Sequence, residues 1–180
     1  MNKESLSQLL KSEIRNIPDF PKKGIQFKDI TTILHNPQLN KMVLDCLIQD
    51  CSSLKIDVVV GLESRGFLYG NALAIALGVP FVPIRKKGKL PFNTISEKYE
   101  LEYKKSEIEI HIDAIKNGQN VLIHDDLLAT GGTAEATAKL IKKLNGNVVG
   151  FSFVVALGFL NGEQKLKEYS DYVDSIVVFD

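Results

Sequence analysis

Residues 121–133 read VLIHDDLLATGGT, and the interpretation of the whole chain starts from this stretch. An apolar run ends in two adjacent acids, Asp125 and Asp126, and a Thr-Gly-Gly-Thr bend follows shortly after them. We predict a strand over 120–124 with the acids at its carboxyl end, and a helix over about 133–144. Such a bend can turn backbone N–H groups toward a bound phosphate. Alternatively, the glycines only make a tight turn and the acids cap the helix.

Outward from this stretch, apolar runs and helical patterns alternate, which predicts an α/β fold. An apolar stripe from Leu6 to Ile17 predicts a first helix, and Asn36-Pro37 is a typical start for a second. The other predicted elements are strand 56–60, helix 67–77, strand 80–85, strand 107–112, strand 148–156, helix 163–169 and strand 173–179. Most of these strands are continuous apolar runs, as in a mostly parallel central sheet flanked by helices.

The strand at 107–112, EIEIHI, differs from the others because polar and apolar residues alternate strictly in it. We predict that one of its faces is exposed. No repeat or linker interrupts the chain, so we expect a single domain over 1–180.

Composition excludes several classes of function. The 22 basic and 22 acidic residues cancel, so we expect neither nucleic acid nor a membrane surface as partner. No apolar run reaches membrane-spanning length, and the polar start MNKESLSQLLKSE is unlike a secretory signal. Cys46 and Cys51 are five residues apart on a predicted helix and point apart, which argues against a disulfide and favours the reducing cytoplasm. The three histidines do not have the spacing of a zinc site.

Two further loops should meet at the same sheet edge, because ligands of open parallel sheets bind beyond the carboxyl ends of the strands. The chain has only three arginines against 19 lysines, and Arg65 and Arg85 both lie in these loops. The planar guanidinium suits bidentate contact with phosphate. A surface ion pair between Arg65 and Glu63 is the alternative, and the lysines that follow Arg85 are equally typical of a solvated surface.

A ligand with a phosphate at one end and a pyrophosphate at the other explains why two acids precede a phosphate-binding bend. The group between the two anions is most naturally a sugar, and vicinal hydroxyls donate well to carboxylates. A divalent ion that bridges pyrophosphate and sugar would also reduce repulsion from the acids.

Five segments of the sequence resemble the type I phosphoribosyltransferases, and among them the members that use adenine. In chain order the five are PDFPKKGIQFKDIT at 18–31, VVVGLESRGFLYG at 58–70, PIRKKGKLP at 83–91, LEY at 101–103 and DDLLATGGT at 125–133. The last of these resembles the motif that binds phosphoribosyl pyrophosphate (PRPP). Together the segments span most of the chain.

The resemblance implies an α/β phosphoribosyltransferase fold with an N-terminal hood over 1–35 and a flexible lid loop over about 91–106. It implies transfer of the 5-phosphoribosyl group of PRPP to adenine, which gives AMP and pyrophosphate in purine salvage. Mg²⁺ is the implied cofactor, held mainly through PRPP and water, with no metal ligands in the protein. The implied enzyme is a cytoplasmic homodimer.

The resemblance also assigns roles to individual residues. The ribose and 5′-phosphate site comprises Asp125, Asp126, Ala129, Thr130, Gly131, Gly132 and Thr133. The pyrophosphate site comprises Glu63, Ser64, Arg65, Arg85 and Lys89. The base site comprises Ile25, Gln26, Lys28 and Leu127. The implied catalytic residues are Glu102, as acid–base residue of the lid, and Arg65.

The sequence departs from the family pattern at three places. Lys28 stands where arginine is frequent, and Gln26 stands where a small apolar residue is common. His124 precedes the acids at a position that is usually aliphatic or acidic, and we predict a core or supporting histidine there, not a catalytic one.

Two other functions stay open. A phosphoribosyltransferase for another purine base would keep the same fold and PRPP site. A non-catalytic PRPP-binding regulator would normally add a nucleic-acid-binding segment, of which this sequence shows no sign.

Overall fold

The computed structural model describes residues 1–20, 22–101 and 104–180. The helices are α1 (Lys3–Glu13), α2 (Thr31–Leu34), α3 (Pro37–Asp50), α4 (Gly66–Leu77), α5 (Gly132–Lys143) and α6 (Gly162–Leu166). The strands are β1 (Arg15–Pro18), β2 (Gln26–Asp29), β3 (Val58–Leu62), β4 (Phe81–Lys86), β5 (Thr94–Leu101), β6 (Lys104–His111), β7 (Asn120–Leu128), β8 (Asn147–Leu157) and β9 (Val173–Phe179). Short 3₁₀ turns lie at Cys51–Ser53 and Gly158–Leu160. None of the helices in these ranges has the length and apolar composition to cross a bilayer.

The central sheet confirms the predicted α/β fold. In the described residues it has seven strands in the order β5-β6-β4-β3-β7-β8-β9. Neighbours from β4 through β9 pair in parallel, whereas β6 pairs antiparallel with both β4 and β5. The sheet is therefore mostly parallel, with an antiparallel extension at one edge.

Helices cover both faces of the sheet, as the apolar strands predict. One core cluster joins α5 to residues such as Val58, Val60 and Ile123. The other joins α1, α3 and α4 to the opposite faces of the same strands, including Val59 and Leu122. Successive residues of β3 thus point into two different cores, so the strand is apolar at every position.

Strand β7 is longer than predicted. It continues past the acids to Leu128 and stays paired with β8, with Asp125 opposite Phe153 and Leu127 opposite Val155. The two acids therefore lie within the strand, not beyond its end. Pairing to β8 holds their backbone in place, which propensity alone did not predict.

The first helix ends earlier than its apolar stripe suggested. Ile14 lies beyond the last helical residue, and Ile17 belongs to β1, which pairs antiparallel with β2 as a separate hairpin. The start of α3 is as predicted, because the Asn36 side chain accepts from Leu39 N and Pro37 occupies the first turn. Asn36 thus supplies one of the acceptors that a helix N-terminus lacks.

Both cysteines are free and buried, in agreement with the predicted absence of a disulfide. Cys46 lies within α3, and Cys51 opens the 3₁₀ turn that follows it.

The segment predicted as a lid loop over 91–106 contains the whole of strand β5 and the start of β6. Strand β5 occupies 94–101 and pairs with β6 over its whole length, from Thr94 opposite His111 to Leu101 opposite Lys104. Ile95 and Tyr99, four residues apart on the same side of the strand, pack against the core. Whether this hairpin acts as a lid stays a prediction.

The predicted exposed face of EIEIHI is wrong at Glu109. The side chain of Glu109 is 1% exposed and accepts hydrogen bonds from Lys89 N (2.9 Å), Leu90 N (2.8 Å) and Thr94 Oγ1 (3.2 Å). Burial on its own would raise the pKa of Glu109, but the backbone N–H groups of residues 88–90 and the Thr94 hydroxyl outweigh it and hold the pKa below its ordinary value. Glu109 therefore fixes the loop after β4 from inside the protein.

We predict that Glu109→Gln destabilises the fold at neutral pH by about 1–3 kcal/mol, because an amide replaces a charged acceptor of several hydrogen bonds. A carboxylate with a lowered folded-state pKa stabilises the fold above its unfolded-state pKa, here 4.5, and this contribution is lost as pH falls through the folded-state value. Urea unfolding of wild type and variant should therefore differ at pH 7 and converge below pH 4.5.

Glu107→Gln is the matched control, because Glu107 lies on the same strand and accepts from the Ser96 hydroxyl. A Glu109→Gln variant no less stable than this control at pH 7 would show that Glu109 does not hold the loop.

Candidate functional site

The three predicted loops meet at one edge of the sheet. Arg65, which follows β3, lies with Nε 3.0 Å from Asp126 Oδ2 on β7. Arg85 on β4 lies with Nε 3.1 Å from Glu63 Oε2 in the loop after β3. Two ion pairs thus join the predicted pyrophosphate residues to each other and to the predicted sugar site.

The Thr-Gly-Gly-Thr bend leads from β7 into α5. Gly131 is the N-cap residue, with φ of +77°, and supplies no side-chain acceptor to the first turn of the helix. The N–H groups of this turn are thus open to an external acceptor, and the positive end of the helix dipole favours an anion. The alternative that the acids cap the helix is wrong, since Asp125 Oδ1 instead accepts from Asp126 N at 2.9 Å.

A cavity of about 90 Å³ lies at this bend, with Asp125 and Leu127 on one side. The residues of the bend that line it are Ala129, Thr130, Gly131, Gly132 and Thr133. The structure therefore brings every predicted phosphate residue to one small concave surface beside the acids.

Gly162, which we did not predict, supports the back of the bend. A Cβ atom on Gly162 would lie 2.2 Å from Ala129 O and 2.9 Å from Gly131 N, closer than real contacts allow. Conversely, a Cβ atom on Gly131 would lie 2.8 Å from Gly162 O. The bend and the start of α6 thus touch backbone to backbone, which requires glycine on both sides.

The acids are in an unfavourable environment for negative charge. Asp126 is 4% exposed, and within the described part of the chain its Oδ2 accepts no hydrogen bond of good geometry despite the nearby Arg65. Burial, followed by repulsion from Asp126, raises the pKa of Asp125 well above its ordinary value. Burial also raises the pKa of Asp126, although the Arg65 guanidinium opposes that shift. A ligand that donates hydrogen bonds would stabilise this pair.

The loop after β3 is held by Glu63, not by the Arg65–Glu63 pair that sequence left open. Glu63 accepts from Lys86 N at 2.8 Å and from Arg85 Nε at 3.1 Å. Burial would raise the pKa of Glu63, but these two donors outweigh it, and the pKa is lowered. Ser64 is exposed, and the Glu63–Ser64 peptide bond is cis. Lys89 lies in the turn whose backbone Glu109 fixes.

Strand β2 has one face toward the site, and the two predicted base-site residues on this strand lie on the other face. The Phe27 ring lies 4.9 Å from Arg65 Cζ and therefore faces the site. Gln26 accepts from Asn16 Nδ2 at 2.7 Å, and Lys28 Nζ lies 4.1 Å from the centre of the Phe179 ring, so both face the other way. We did not name Phe27, although strand alternation separates it from Gln26 and Lys28.

Two other predicted base-site residues lie closer to the site. Leu127 lines the cavity at the bend. Ile25 is two residues from Phe27 and is 37% exposed.

His124 is fully buried, as predicted for a core histidine. Burial lowers its pKa to about 4, so the ring is neutral at physiological pH. Glu102, the predicted acid–base residue, lies outside the described residues.

Comparison with known proteins gives consistent matches. The family model of the phosphoribosyl transferase domain matches residues 29–179. The adenine phosphoribosyltransferase of Cytophaga hutchinsonii is 49% identical over 176 residues, which cover 98% of this chain and 97% of that protein.

Solved structures agree with the sequence matches. The crystal structure of adenine phosphoribosyltransferase from Rhodothermus marinus superposes with a TM-score of 0.92 at 47% identity, over 98% of this chain and 99% of that one. The Saccharomyces cerevisiae enzyme, complexed with D-2,5-dideoxy-2,5-imino-altritol 1,6-bisphosphate and adenine, superposes with a TM-score of 0.88 at 44% identity, over 96% of this chain and 99% of that one.

We predict that Asp125→Asn stabilises the free protein at neutral pH. A carboxyl with a raised folded-state pKa is most stabilising when protonated, below its unfolded-state pKa of 3.8, and loses that contribution as pH rises through the folded-state value. Asparagine stays neutral and can still accept from Asp126 N. A gain of about 1 kcal/mol raises Tm by about 2–4 °C in a chain of this size.

Thermal unfolding at pH 7 and at pH 3.5 measures this effect, and the two proteins should differ only at the higher pH. Asp126→Asn is the matched control and should gain less, because it also removes the partner of Arg65. Equal stability of wild type and Asp125→Asn at pH 7 would contradict the electrostatic interpretation.

Proposed function

The chain belongs to the adenine phosphoribosyltransferase family, and we infer from this that it transfers the 5-phosphoribosyl group of PRPP to adenine, giving AMP and pyrophosphate. The reaction belongs to purine salvage. The observation that carries the inference is the convergence of the phosphate-binding bend, the acid pair and the two rare arginines at one sheet edge. Each of them suits a different part of PRPP.

The 5′-phosphate is assigned to the bend between β7 and α5. The backbone N–H groups of Thr130, Gly131 and Gly132 and the hydroxyl of Thr133 supply donors, and the helix dipole adds positive potential. The small cavity there suits a compact tetrahedral anion. Gly162 keeps the backbone of the bend in position from behind.

The ribose is assigned to Asp125 and Asp126. Its 2′- and 3′-hydroxyls donate hydrogen bonds, which is what two crowded carboxylates with raised pKa values need in order to ionise. Sugar binding therefore favours the charged form of the acids. That charge lies beside the C1 carbon, where positive charge develops as the bond to pyrophosphate breaks.

The pyrophosphate is assigned to the loops after β3 and β4. Arg65 and Arg85 each use Nε for a carboxylate, which leaves their terminal nitrogens for phosphate oxygens. Lys89 and the Ser64 hydroxyl are assigned here as further donors, as the family resemblance implies. These groups would stabilise the negative charge that pyrophosphate gains as it leaves with the bonding electron pair.

Mg²⁺ fits this arrangement as a cofactor held mainly by the substrate. The Asp125–Asp126 pair suits a hydrated hard cation that contacts protein through water and hydroxyls. When bound with PRPP, the ion would neutralise charge on the pyrophosphate.

Adenine is assigned to the space between Leu127 and the Ile25–Phe27 face of β2. The aromatic ring of Phe27 next to Arg65 offers a flat apolar surface for a purine. Gln26 and Lys28, which face away, would shape the β1–β2 hairpin instead of touching the base. This assignment replaces two of the four base contacts that the family resemblance implied.

The proton on N9 of adenine must leave as the new bond to C1 forms. Ala129 occupies the place where enzymes for 6-oxopurines carry an acid, and alanine cannot accept a proton. Glu102 is the proposed acceptor, because the resemblance of LEY at 101–103 to the family's lid segment implies this role. General-base roles of this kind contribute about 10²–10⁴-fold to the rate.

Base selectivity tests the proposed function. Adenine has an amino donor beside an N1 acceptor, whereas hypoxanthine and guanine reverse both groups, so a pocket fitted to one pattern leaves buried groups unpaired with the other. We predict that kcat/KM with adenine exceeds the values for both 6-oxopurines by several powers of ten. Competition among the three bases at equal concentration, with PRPP and Mg²⁺, measures the ratio.

Each outcome of this assay favours one function. Equal use of hypoxanthine or guanine would support a transferase of different base choice. PRPP binding without pyrophosphate release for any base would support the regulator.

The homodimer and its cytoplasmic location are part of the proposal. Helix α4 is apolar on its outer side as well as its inner side, with Leu68 49% and Ile75 72% exposed. These two residues are seven apart and so share one face of the helix. Such a face suits a second copy of the chain. The two free, buried cysteines are compatible with a reducing compartment.

We predict that Ile75→Glu converts the dimer to monomers, because a carboxylate in the centre of an apolar interface would be desolvated without a partner. Light scattering coupled to size exclusion measures the mass. Leu9→Glu on α1, where Leu9 is 37% exposed, is the control and should leave the mass unchanged. An Ile75→Glu protein that stays dimeric would place the interface elsewhere.

A further inference from the structure

A tyrosine of the β5–β6 hairpin touches the phosphate-binding bend. Thr133, at the start of α5, has its hydroxyl within hydrogen-bond distance of the Tyr99 hydroxyl of β5, at 3.1 Å. The same hairpin contacts the other end of the helix, where Lys143 Nζ lies 2.6 Å from Glu97 Oε2. Strand β5 thus contacts both ends of α5. One of these contacts uses Thr133, a predicted ligand of the 5′-phosphate.

Phosphate binding fixes the direction of the Thr133–Tyr99 hydrogen bond. A threonine hydroxyl has a single hydrogen to donate, and in the free protein either of the two hydroxyls can donate to the other. A phosphate oxygen can only accept. Thr133 can therefore contribute to the phosphate site only if its hydrogen turns to the ligand.

Tyr99 can keep its contact by acting as the donor. The phenol also carries one hydrogen, which can be donated to Thr133 Oγ1 once that oxygen has turned its own hydrogen to the phosphate. The result is a chain of two hydrogen bonds, from Tyr99 to Thr133 and from Thr133 to the phosphate. Each bond in such a chain polarises and strengthens the other.

We propose that Tyr99 is a positioning residue that couples occupation of the 5′-phosphate site to the β5–β6 hairpin. The proposal rests on the proposed function only in that the bend binds a sugar phosphate. Phosphate binding strengthens the Tyr99–Thr133 bond, and by thermodynamic reciprocity the bond strengthens phosphate binding by the same factor. Glu102, the proposed proton acceptor, follows Tyr99 by three residues in the sequence.

Tyr99→Phe removes the hydroxyl and keeps the ring that packs against the core. The variant should bind ribose 5-phosphate about three- to tenfold more weakly by titration calorimetry, the range expected for one hydrogen bond. In the wild type, ribose 5-phosphate should slow amide exchange over residues 94–99. In the variant this slowing should be absent, which a purely structural role for the ring would not produce.

Two further variants separate the coupling from general loosening of the hairpin. Glu97→Gln breaks the contact with Lys143 but leaves the Tyr99–Thr133 bond, so the ligand should still slow exchange over 94–99. Thr133→Ser keeps the hydroxyl and should keep the coupling. Thr133→Val removes it, so adding Tyr99→Phe to Thr133→Val should cause no further loss of ribose 5-phosphate affinity in a double-mutant cycle.

The proposal is overturned if Tyr99→Phe binds ribose 5-phosphate like wild type, or if the ligand still slows exchange in that variant. If Tyr99→Phe does not fold, Thr133→Ser and Thr133→Val are compared instead. Equal slowing of amide exchange by ribose 5-phosphate in these two variants would overturn the proposal. These measurements need no purine base. Failure of the adenine reaction with intact coupling would therefore count against the proposed function alone.

Discussion

Two adjacent carboxylates on a central strand are the constraint around which this site is built. Asp125 and Asp126 lie on β7 between β3 and β8, where burial raises the pKa of both and repulsion from Asp126 adds to the shift of Asp125. Nothing in the folding of the strand requires acids at these positions, since apolar residues pack well there. The free protein offsets this cost only partly through Arg65. In the proposed function a ligand rich in hydroxyls would remove the remainder, so the destabilising feature of the free protein would be the one that selects a sugar.

The cations of the site are arranged by the same electrostatic rule. Arg65 contacts Asp126 and the Phe27 ring, and Arg85 contacts Glu63. Glu109 holds the backbone around Lys89 without using the lysine side chain. The chain has no net charge, yet each arginine in the site has a carboxylate partner and spare donors. Positive groups are thereby fixed close to where pyrophosphate would lie.

Local patterns in the sequence predicted the parts of this structure whose cause is local. The continuous apolar strands, the Thr-Gly-Gly-Thr bend and the Asn36 cap each follow from neighbouring residues, and the fold and the convergence of the loops followed from them. Glu109 was misassigned because its partners are backbone N–H groups about 20 residues away in the chain. Gly162 was missed because the contact that requires a glycine is with Ala129, which the chain does not place nearby. Strand β5 was assigned to a loop because its pairing with β6, not its own composition, makes it a strand.

The division of roles on β2 follows from strand geometry and from the ion pairs together. Alternation puts Phe27 on one face and Gln26 and Lys28 on the other, but alternation alone does not say which face meets the site. The Arg65 guanidinium settles this, because its position beside Asp126 puts it over the Phe27 ring. Lys28 is then free to lie over Phe179 at the end of β9. Lys28, where the family resemblance leads us to expect arginine, therefore lies on the face of the hairpin opposite Phe27 and outside the proposed base site.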